Sequence, residues 1–339
     1  MATFKIYKLH FTAPLHIGSQ REDEGYSMDT IQSDSIYAAL VACLAKTGYA
    51  IPEDGNLGFT LSSLFPYYQR DKDAKPVYFL PMPMMAKQPE LTDVSAAKKV
   101  KKVKWIDAAL YDKVLAGDTL FDKSGHYLQF IQESYLAEYK LPENADGTRE
   151  FMKSEVSQRV TLQSRTGEED AKPYYVDKIV FKHNAGLYFI AEGDTTLLDK
   201  ALAILANEGL GTDRNVGFGF FKYSTDSITI DLPQGANHQV ALSLLIPESK
   251  EQLEQLLSSE HVAYDFTRRG GWITTPPFTT LRKNVVYGFL PGSVFQKDVA
   301  CECQAIGKIV NLKPEVGEQT PDHPVWRNGK SIMLPVTIK

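Results

Sequence analysis

The chain has 339 residues, of which 43% are apolar, and a formal net charge of −5. This length and apolar content suit two globular domains and exclude a mainly disordered chain. A free-standing nucleic-acid-binding protein normally has a basic balance, so any such binding here requires a local basic groove. The N-terminus has no signal pattern and the chain has no apolar run of roughly 18 residues, which predicts a cytoplasmic protein without membrane contact.

The first 50 residues predict a strand and then a helix. Residues 3–12 alternate apolar and polar side chains, as in a half-buried strand. Ser33 or Asp34 is expected to cap a helix with one apolar face, which ends near Gly48. The loop between these elements carries His16 and Gly18 just beyond the end of the strand.

The middle of the chain is less regular. Prolines punctuate residues 51–155, which predicts an insertion with one short helix at 107–116. Two strand-like arms then enclose a polar turn, so residues 156–181 are expected to project as a β-hairpin. A projecting hairpin is typical of an interaction element.

The fold class follows from the order of the remaining elements. A strand at 187–191, a helix at 195–207 and a strand at 218–224 complete the order β, α, β, β, α, β of a ferredoxin-like (RRM-like) domain. A similar pattern follows, with predicted elements at 239–246, 248–258, 262–266, 285–290, 298–309 and 331–338. The sequence therefore predicts an α+β protein with two tandem ferredoxin-like domains, at 1–225 and 226–339.

Residues 209–221 read G-L-G-T-D-R-N-V-G-F-G-F-F and place four glycines around Arg214. Glycine accepts left-handed backbone angles and lets another backbone approach closely, and a guanidinium can bind a phosphate with two hydrogen bonds. The loop lacks the Gly-Lys-Ser/Thr of a P-loop and leads into a strand, unlike a dinucleotide fingerprint. Two interpretations stay open here: a loop around RNA phosphates, or a glycine-rich hairpin with a solvated arginine.

A second candidate for RNA contact is the basic segment that precedes Asn284. Its paired arginines, Gly-Gly turn and Pro-Pro stiffener suit a phosphate-binding hairpin, and its candidate residues are Arg268, Arg269, Gly270, Gly271 and Arg282. The alternative is a surface hairpin with ordinary charge. His16 is compatible with RNA contact or with a structural role.

The sequence offers few residues arranged for catalysis or for metal binding. General acid–base catalysis needs a positioned pair, and neither His10 nor His16 has a partner within its own segment. Asp29 and Asp34 are the candidate carboxylates, and Asp34 is explained as a helix cap. Cys301 and Cys303 lack the second pair that a zinc site requires. The sequence thus predicts no enzyme, no cofactor and no metal site.

Three motifs together resemble a known family. They are P-L-H-I-G with I-Q-S-D-S-I-Y-A-A-L near the start, the glycine loop, and H-P-V-W-R-N-G-K near the end. The chain resembles the RAMP proteins of CRISPR systems, and among them the fourth Csm subunit of type III-A effector complexes. The helix start combined with the C-terminal motif is more specific than the glycine loop alone.

The resemblance implies a non-catalytic subunit that holds the 5′ handle of the crRNA. It also implies that the subunit links the large polymerase/cyclase-like subunit to the RAMP backbone subunit, near the target RNA. The handle-binding residues would be Gly209, Gly211, Arg214, Asn215, Gly217 and Gly219. The hairpin would act as a thumb that carries Arg159, Ser164 and Arg165, with the carboxylates of Glu168, Glu169 and Asp170 facing either RNA or a protein neighbour.

Two rival functions follow from the same sequence. Related RAMP proteins include metal-independent endonucleases that cut CRISPR repeat RNA with a histidine, for which His10 and His16 are the candidates. The chain would otherwise be a protein-interaction module that needs no RNA. Cleavage of repeat RNA that is lost in a His16→Ala variant would support the endonuclease. Unchanged crRNA retention in a variant with both Arg214→Ala and Arg268→Ala would support the protein-interaction module.

Overall fold

The fold is described from a computed structural model of the chain. The structure describes residues 1–18, 27–71, 73–84, 94–118, 120–121, 126–141, 151–160, 173–182, 184–297, 305–317 and 320–339. Within these residues it is a mixed α+β protein with 18 strands and 5 α-helices. None of the helices in the described part is long and apolar enough to cross a membrane.

The N-terminal two thirds of the chain build one large sheet, a separate two-stranded hairpin formed by β8 and β9, and four helices. The strands are β1 (Ala2–Phe11), β2 (Phe59–Leu61), β3 (Phe65–Tyr68), β4 (Val77–Pro81), β5 (Trp105–Asp107), β6 (Ile131–Gln132), β7 (Tyr135–Leu136), β8 (Met152–Val160), β9 (Pro173–Phe181), β10 (Gly186–Gly193) and β11 (Phe221–Ile230). The helices are α1 (Ser33–Lys46), α2 (Val94–Lys102), α3 (Ala108–Leu115) and α4 (Thr196–Glu208).

The large sheet has nine strands, in the order β11-β1-β10-β3-β4-β5-β7-β6, with β2 also paired to β10. Strand β1 lies between β10 and β11 and is antiparallel to both, with Tyr7 opposite Phe189 on one side and Thr225 on the other. The first and last strands of the N-terminal unit are therefore neighbours at one edge of the sheet, where β11 is the outermost strand.

The two faces of this sheet bury different cores. Helices α1 and α4 cover one face, where Tyr7 stacks on Phe189 with ring centroids 5.2 Å apart. Ile6 and Tyr188 face the opposite core, which includes residues from α3 and from the C-terminal strands. The first strand was expected to be half-buried, but Ile6 and Tyr7 are both fully buried. The reason is tertiary: α1 and α4 cover the face that carries Tyr7, while α3 and the C-terminal strands pack on the face that carries Ile6.

Residues 51–155 are less separate than an insertion implies. Strands β2 and β3 both pair with β10, so they belong to the central sheet. The predicted short helix is present as α3, and the Asp107 carboxylate caps it by accepting a hydrogen bond from the Ala109 backbone N–H at 3.0 Å. Short Pro-bounded strands carry little periodicity, and this is why their pairing was not predicted.

The C-terminal part is richer in short strands. It contains β12 (His238–Ala241), α5 (Lys250–Leu256), β13 (Phe266–Arg269), β14 (Val286–Phe289), β15 (Val294–Gln296), β16 (Ile309–Asn311), β17 (Trp326–Asn328) and β18 (Met333–Val336). Strand β12 lies between β15 and β18, and the pairs β13–β14 and β16–β17 form separate ladders. Val240, Leu242 and Leu334 join the core beneath the large sheet, so the two halves share one apolar interior.

Several predicted boundaries were wrong in this region. The strand expected at 239–246 ends at Ala241. In the strand expected at 262–266, Ala263 forms a single bridge with Val294, and the regular strand β13 begins only at Phe266. The C-terminal motif H-P-V-W-R-N-G-K contains strand β17, which ends at Asn328. A Cβ on Gly329 would lie 2.4 Å from Cβ of Ile246, so this glycine serves close packing.

Candidate nucleic-acid interface

The glycine loop begins where α4 ends and leads into β11. Its glycines at 209, 211, 217 and 219 all have positive φ, between 76° and 94°. Asp213, which is not a glycine, also lies in the left-handed region with φ 59° and precedes the single helical turn Arg214–Val216. The loop is closed by a backbone hydrogen bond of 2.9 Å from the Leu210 N–H to the Gly219 carbonyl.

Glycine is needed at these loop positions for different physical reasons. A Cβ on Gly219 would lie 1.9 Å from the Leu210 carbonyl oxygen, and one on Gly211 would lie 2.4 Å from the His16 carbonyl oxygen. These two positions need glycine for packing within the protein. Gly217 is different, since nothing lies within 4 Å of its Cβ position. It is the position where another backbone has room to approach.

The exposed tip of the loop carries Arg214, Asn215 and Val216. The Arg214 guanidinium is 39% exposed and lies 4.0 Å from a Glu208 carboxylate oxygen. That carboxylate makes its shorter contact, of 2.6 Å, with the Lys46 ammonium. Two cations share one carboxylate here, which leaves a surplus of positive charge at the tip.

The projecting hairpin contacts the glycine loop. Strands β8 and β9 form an antiparallel ladder from the pair Met152 and Phe181 to the pair Val160 and Pro173. The Arg159 guanidinium donates to the Asp213 carboxylate at 3.2 Å and lies over the Phe218 ring, 4.6 Å from its centroid. Arg159 thus ties the hairpin to the loop.

His16 belongs to a buried polar cluster at the base of the hairpin. Its side chain is 4% exposed, and Nδ1 is hydrogen-bonded to the Asp177 carbonyl oxygen. The Asp177 carboxylate accepts from the Ser27 backbone N–H at 2.8 Å and from the Ser154 hydroxyl at 2.6 Å. Gly18 forms a bridge with Ser27 in the same region. Burial and this hydrogen bond therefore support the structural alternative for His16.

The second basic segment forms strand β13 and the turns that lead to its partner strand β14. Arg268 is exposed and lies opposite Tyr287, while Arg282 lies over the Trp272 ring, 4.8 Å from its centroid. The Cβ position of Gly271 is open, and its φ is 92°. Exposed guanidinium groups and aromatic rings alternate on this surface, an arrangement used for stacking bases beside phosphates.

Arg269 points the other way, into the protein. Its Nε and Nη2 atoms donate to both oxygens of the fully buried Asp34, at 2.8 and 3.0 Å. Arg327 contacts the same carboxylate at 3.2 Å. The prediction that Ser33 or Asp34 caps α1 was wrong, because the cap residue is Gln32 and Asp34 is the carboxylate that joins the two halves. Local sequence cannot distinguish these roles, since the arginines lie more than 230 positions away.

The predicted site residues form two groups. The glycine loop, His16, Gly18 and Arg159 form the first group. The second basic segment forms the other, in which Arg269 contacts Asp34 while Arg268 and Arg282 lie beside Tyr287 and Trp272. Ser164, Arg165 and the acidic residues 168–170 lie outside the described residues, as do Cys301 and Cys303. Sequence reasoning missed Asp177 as the anchor of His16, because its strand position predicts only an exposed polar residue. Among the described residues, no three His, Cys, Asp or Glu side chains come together as a metal site requires.

The chain was compared with known proteins. Residues 234–336 match the family model described as the CRISPR Csm4 C-terminal domain. The CRISPR system Cms protein Csm4 of Streptococcus thermophilus is 26% identical over 322 residues, which cover 92% of this chain and 93% of the relative. The resemblance to Csm4 is confirmed. The Csm4 of Thermococcus onnurineus is 25% identical over 229 residues, and this match spans 64% of that relative, slightly less than two thirds.

Chains in solved structures of Csm4-containing assemblies have a fold similar to that of this chain. A chain in the crystal structure of a Csm3–Csm4 subcomplex of the type III-A CRISPR-Cas interference complex superposes with a TM-score of 0.62, at 19% identity, and covers 98% of this chain and 99% of its own length. A chain in a Csm1–Csm4 cassette in complex with cA4 superposes with a TM-score of 0.56, at 18% identity, and covers 100% and 99%. These likenesses extend over the whole chain, including the part before the matched C-terminal domain.

Proposed function

We propose that this chain is a non-catalytic, cytoplasmic RNA-binding subunit of a type III-A Csm complex, and that it holds the 5′ handle of the crRNA. The observation that carries the proposal is the match to Csm4 along almost the whole chain, combined with the open tip of the glycine loop. The proposed partners are the large polymerase/cyclase-like subunit and the RAMP backbone subunit, with the target RNA close to the hairpin.

The partners are inferred from the relatives. The similar solved structures are of a Csm3–Csm4 subcomplex and a Csm1–Csm4 cassette, so Csm4 proteins contact both of those subunits. A subunit that contacts two neighbours is suited to link them. The acidic net charge of −5 is consistent with a chain whose surface faces proteins and whose basic charge is confined to two patches.

The proposed fold of the N-terminal unit is ferredoxin-like. The first, third and fourth strands of such a unit would be β1, β10 and β11, and β2 or β3 would be the second strand. The observed order β11-β1-β10-β3, with α1 and α4 against one face, supports this assignment. For the C-terminal unit, the support is the three-stranded sheet β15-β12-β18 with α5 against β15.

The glycine loop is the proposed handle-binding element. Arg214 shares Glu208 with Lys46, so its guanidinium retains donors for a phosphate. The open space beside Gly217 allows an RNA backbone to approach the loop N–H groups, which bind phosphates without reading bases. Arg159 contributes by fixing the hairpin against this loop rather than by reaching out freely.

The non-catalytic assignment is supported by the position of His16. A general acid or base must reach the reacting atoms, and this imidazole is buried and hydrogen-bonded to a backbone carbonyl. The rival function, a metal-independent repeat-RNA endonuclease, is tested with labelled repeat RNA and purified protein in the absence of metal ions. Specific cleavage that disappears in His16→Ala would replace the proposal with the rival.

Handle binding is tested by fluorescence anisotropy with RNA that carries the repeat-derived 5′ handle. Arg214→Ala is expected to weaken binding on the order of tenfold, because a charge-assisted phosphate contact is lost. The matched control is Arg70→Ala, which also removes an exposed arginine paired with a carboxylate, here Asp71 at 3.0 Å. Equal affinity of Arg214→Ala and the wild type would reject the role of the loop.

A further inference from the structure

The Asp34 cluster, defined as Asp34, Arg269, Lys283 and Arg327, has more positive than negative charge. The carboxylate is fully buried at the start of α1, where the helix dipole adds a partial positive charge. Two guanidinium groups contact it, and Lys283 is close enough for all three groups to influence its pKa. One carboxylate thus faces three cations, and an excess of about two positive charges remains.

The cations are not all satisfied by the protein. Arg327 is 8% exposed, and its Nε has no hydrogen-bond partner among the described residues, although its Nη2 donates to the Gly270 carbonyl at 3.3 Å. Neighbouring Asn328 has a buried Nδ2 that likewise lacks a partner within the described part. Buried donors without acceptors cost free energy.

The cluster lies beneath a turn that other molecules can approach. The Lys283 backbone N–H donates to the Gly271 carbonyl at 2.9 Å, so the lysine is attached to the Gly-Gly turn. Nothing lies within 4 Å of the Gly271 Cβ position, and Lys283 itself is half-buried. Because Arg327 donates to the Gly270 carbonyl, the same turn brings Lys283 and Arg327 together beside the open space at Gly271.

We propose that Lys283 and Arg327 form a phosphate-binding subsite for one backbone phosphodiester of the RNA. Asp34 and Arg269 are positioning residues, because the carboxylate holds both arginines and Arg269 also donates to the Ser35 hydroxyl at 2.7 Å. The inference rests on the proposed function, since it assigns a second contact, from the C-terminal half, to the same RNA.

The surroundings favour RNA over an acidic peptide. Trp272 and Tyr287 lie on the same hairpin and its turn, and each is beside an arginine, Arg282 or Arg268. The Tyr287 side chain is 58% exposed. A single strand of RNA satisfies both features at once, because its bases stack on aromatic rings while its phosphates bind the cations. An acidic peptide uses only the charges.

The test uses the full chain and handle RNA, read by anisotropy, with Lys283→Gln as the main variant. Neutralising this lysine is expected to weaken binding on the order of tenfold and to lower the salt slope by about one. Lys283→Arg should retain affinity within about twofold. Lys200→Gln, which removes an exposed lysine on α4, is the matched control and should bind like the wild type.

A second experiment identifies which RNA phosphate binds Lys283. RNAs in which one phosphodiester at a time is replaced by a neutral methylphosphonate are compared between wild type and Lys283→Gln. The subsite predicts one position at which the modified RNA binds the two proteins equally, because the partner of Lys283 has been removed from both sides. A uniform difference at all positions would show a long-range field and overturn the subsite.

The pH dependence separates binding from mere structural support. Burial and the positive charges of Arg327 and Arg269 lower the pKa of Lys283 to about 8, although the negative charge of Asp34 acts to raise it. A bound phosphate stabilises the charged lysine, so wild-type affinity should fall between about pH 7 and about pH 9, whereas Lys283→Arg should change little. Identical pH profiles for the two proteins would count against the inference.

The outcomes keep the two proposals apart. If Arg214→Ala weakens RNA binding but Lys283→Gln does not, the subsite is wrong and the proposed function stands. If Lys283→Gln binds RNA normally but assembles poorly with the other Csm subunits, the cluster binds an acidic protein surface, and the subsite is again wrong. If the wild type binds no handle RNA, both proposals fail.

Discussion

Asp34→Asn is the substitution that most directly tests how the two halves are joined. The carboxylate is fully buried and accepts two hydrogen bonds from Arg269 and one contact from Arg327. Asparagine has nearly the same shape and keeps one acceptor oxygen, but it has no charge. The substitution therefore leaves two guanidinium groups and Lys283 beside each other without a counter-ion.

The magnitude follows from the burial. Removal of one partner from a buried ion pair typically costs about 3–5 kcal/mol, because the remaining charge is buried without compensation. The retained oxygen of asparagine places the expected loss at the lower end, about 3 kcal/mol. With a urea dependence of about 3 kcal/mol per M, the unfolding midpoint should fall by about 1 M.

Urea unfolding followed by tryptophan fluorescence measures this change. Trp272 and Trp326, two of the three tryptophans, lie on the segments that carry the arginines, so the signal reports on the region of interest. Glu254→Gln is the control, because its pair with Lys250 is 65% and 81% exposed and should contribute less than about 1 kcal/mol. An unchanged midpoint for Asp34→Asn would refute the reasoning that this carboxylate holds the halves together.

Three further outcomes follow from the contacts. Gly219→Ala should lower the free energy of unfolding in urea by more than about 2 kcal/mol, because the added Cβ would overlap the Leu210 carbonyl. Gly217→Ala should lower it by only about 1 kcal/mol, from backbone strain alone. Equal losses for the two variants would contradict the packing argument. Arg159→Met should increase limited proteolysis of the hairpin without a large change in global unfolding, and an unchanged cleavage rate would argue against the tie to the loop. Burial lowers the pKa of His238 from 6.5, so the free energy of unfolding should fall as the pH drops below about 6.5. His238→Gln should make the free energy of unfolding depend less on pH in this range. Parallel pH profiles for the variant and the wild type would be inconsistent with this histidine as the cause.

Much of the fold was predictable where the sequence has strong periodicity. Helix α4 and strand β1 lie within about a residue of their predicted bounds, because a long apolar repeat and a long alternation each allow one assignment. Strands β2 and β3 were assigned to an insertion instead, since three or four residues between prolines do not define a period. Their place in the central sheet depends on pairing with β10, more than 100 positions away.

The candidate site was predictable in part. The glycine loop was evident from its composition, and the structure separates glycines that serve packing, such as Gly219, from Gly217, which faces open space. Asp34 was taken for a helix cap, because its position at a helix start has a sufficient local explanation. Its arginine partners come from the other half of the chain, so only the assembled molecule reveals the ion pair.

The sequence by itself determined the resemblance to Csm4, the α+β class and the loop around Arg214, because these depend on local patterns and motifs that stay readable in a single chain. Only the tertiary structure decided which charges are free. Arg269 is held by Asp34 and Arg159 by Asp213, whereas Lys283 and the loop tip keep unshared positive charge. The physical reason is that the ion pairs of the fold join residues far apart in sequence, so the positive charge that remains for an RNA phosphate depends on the assembled set of contacts.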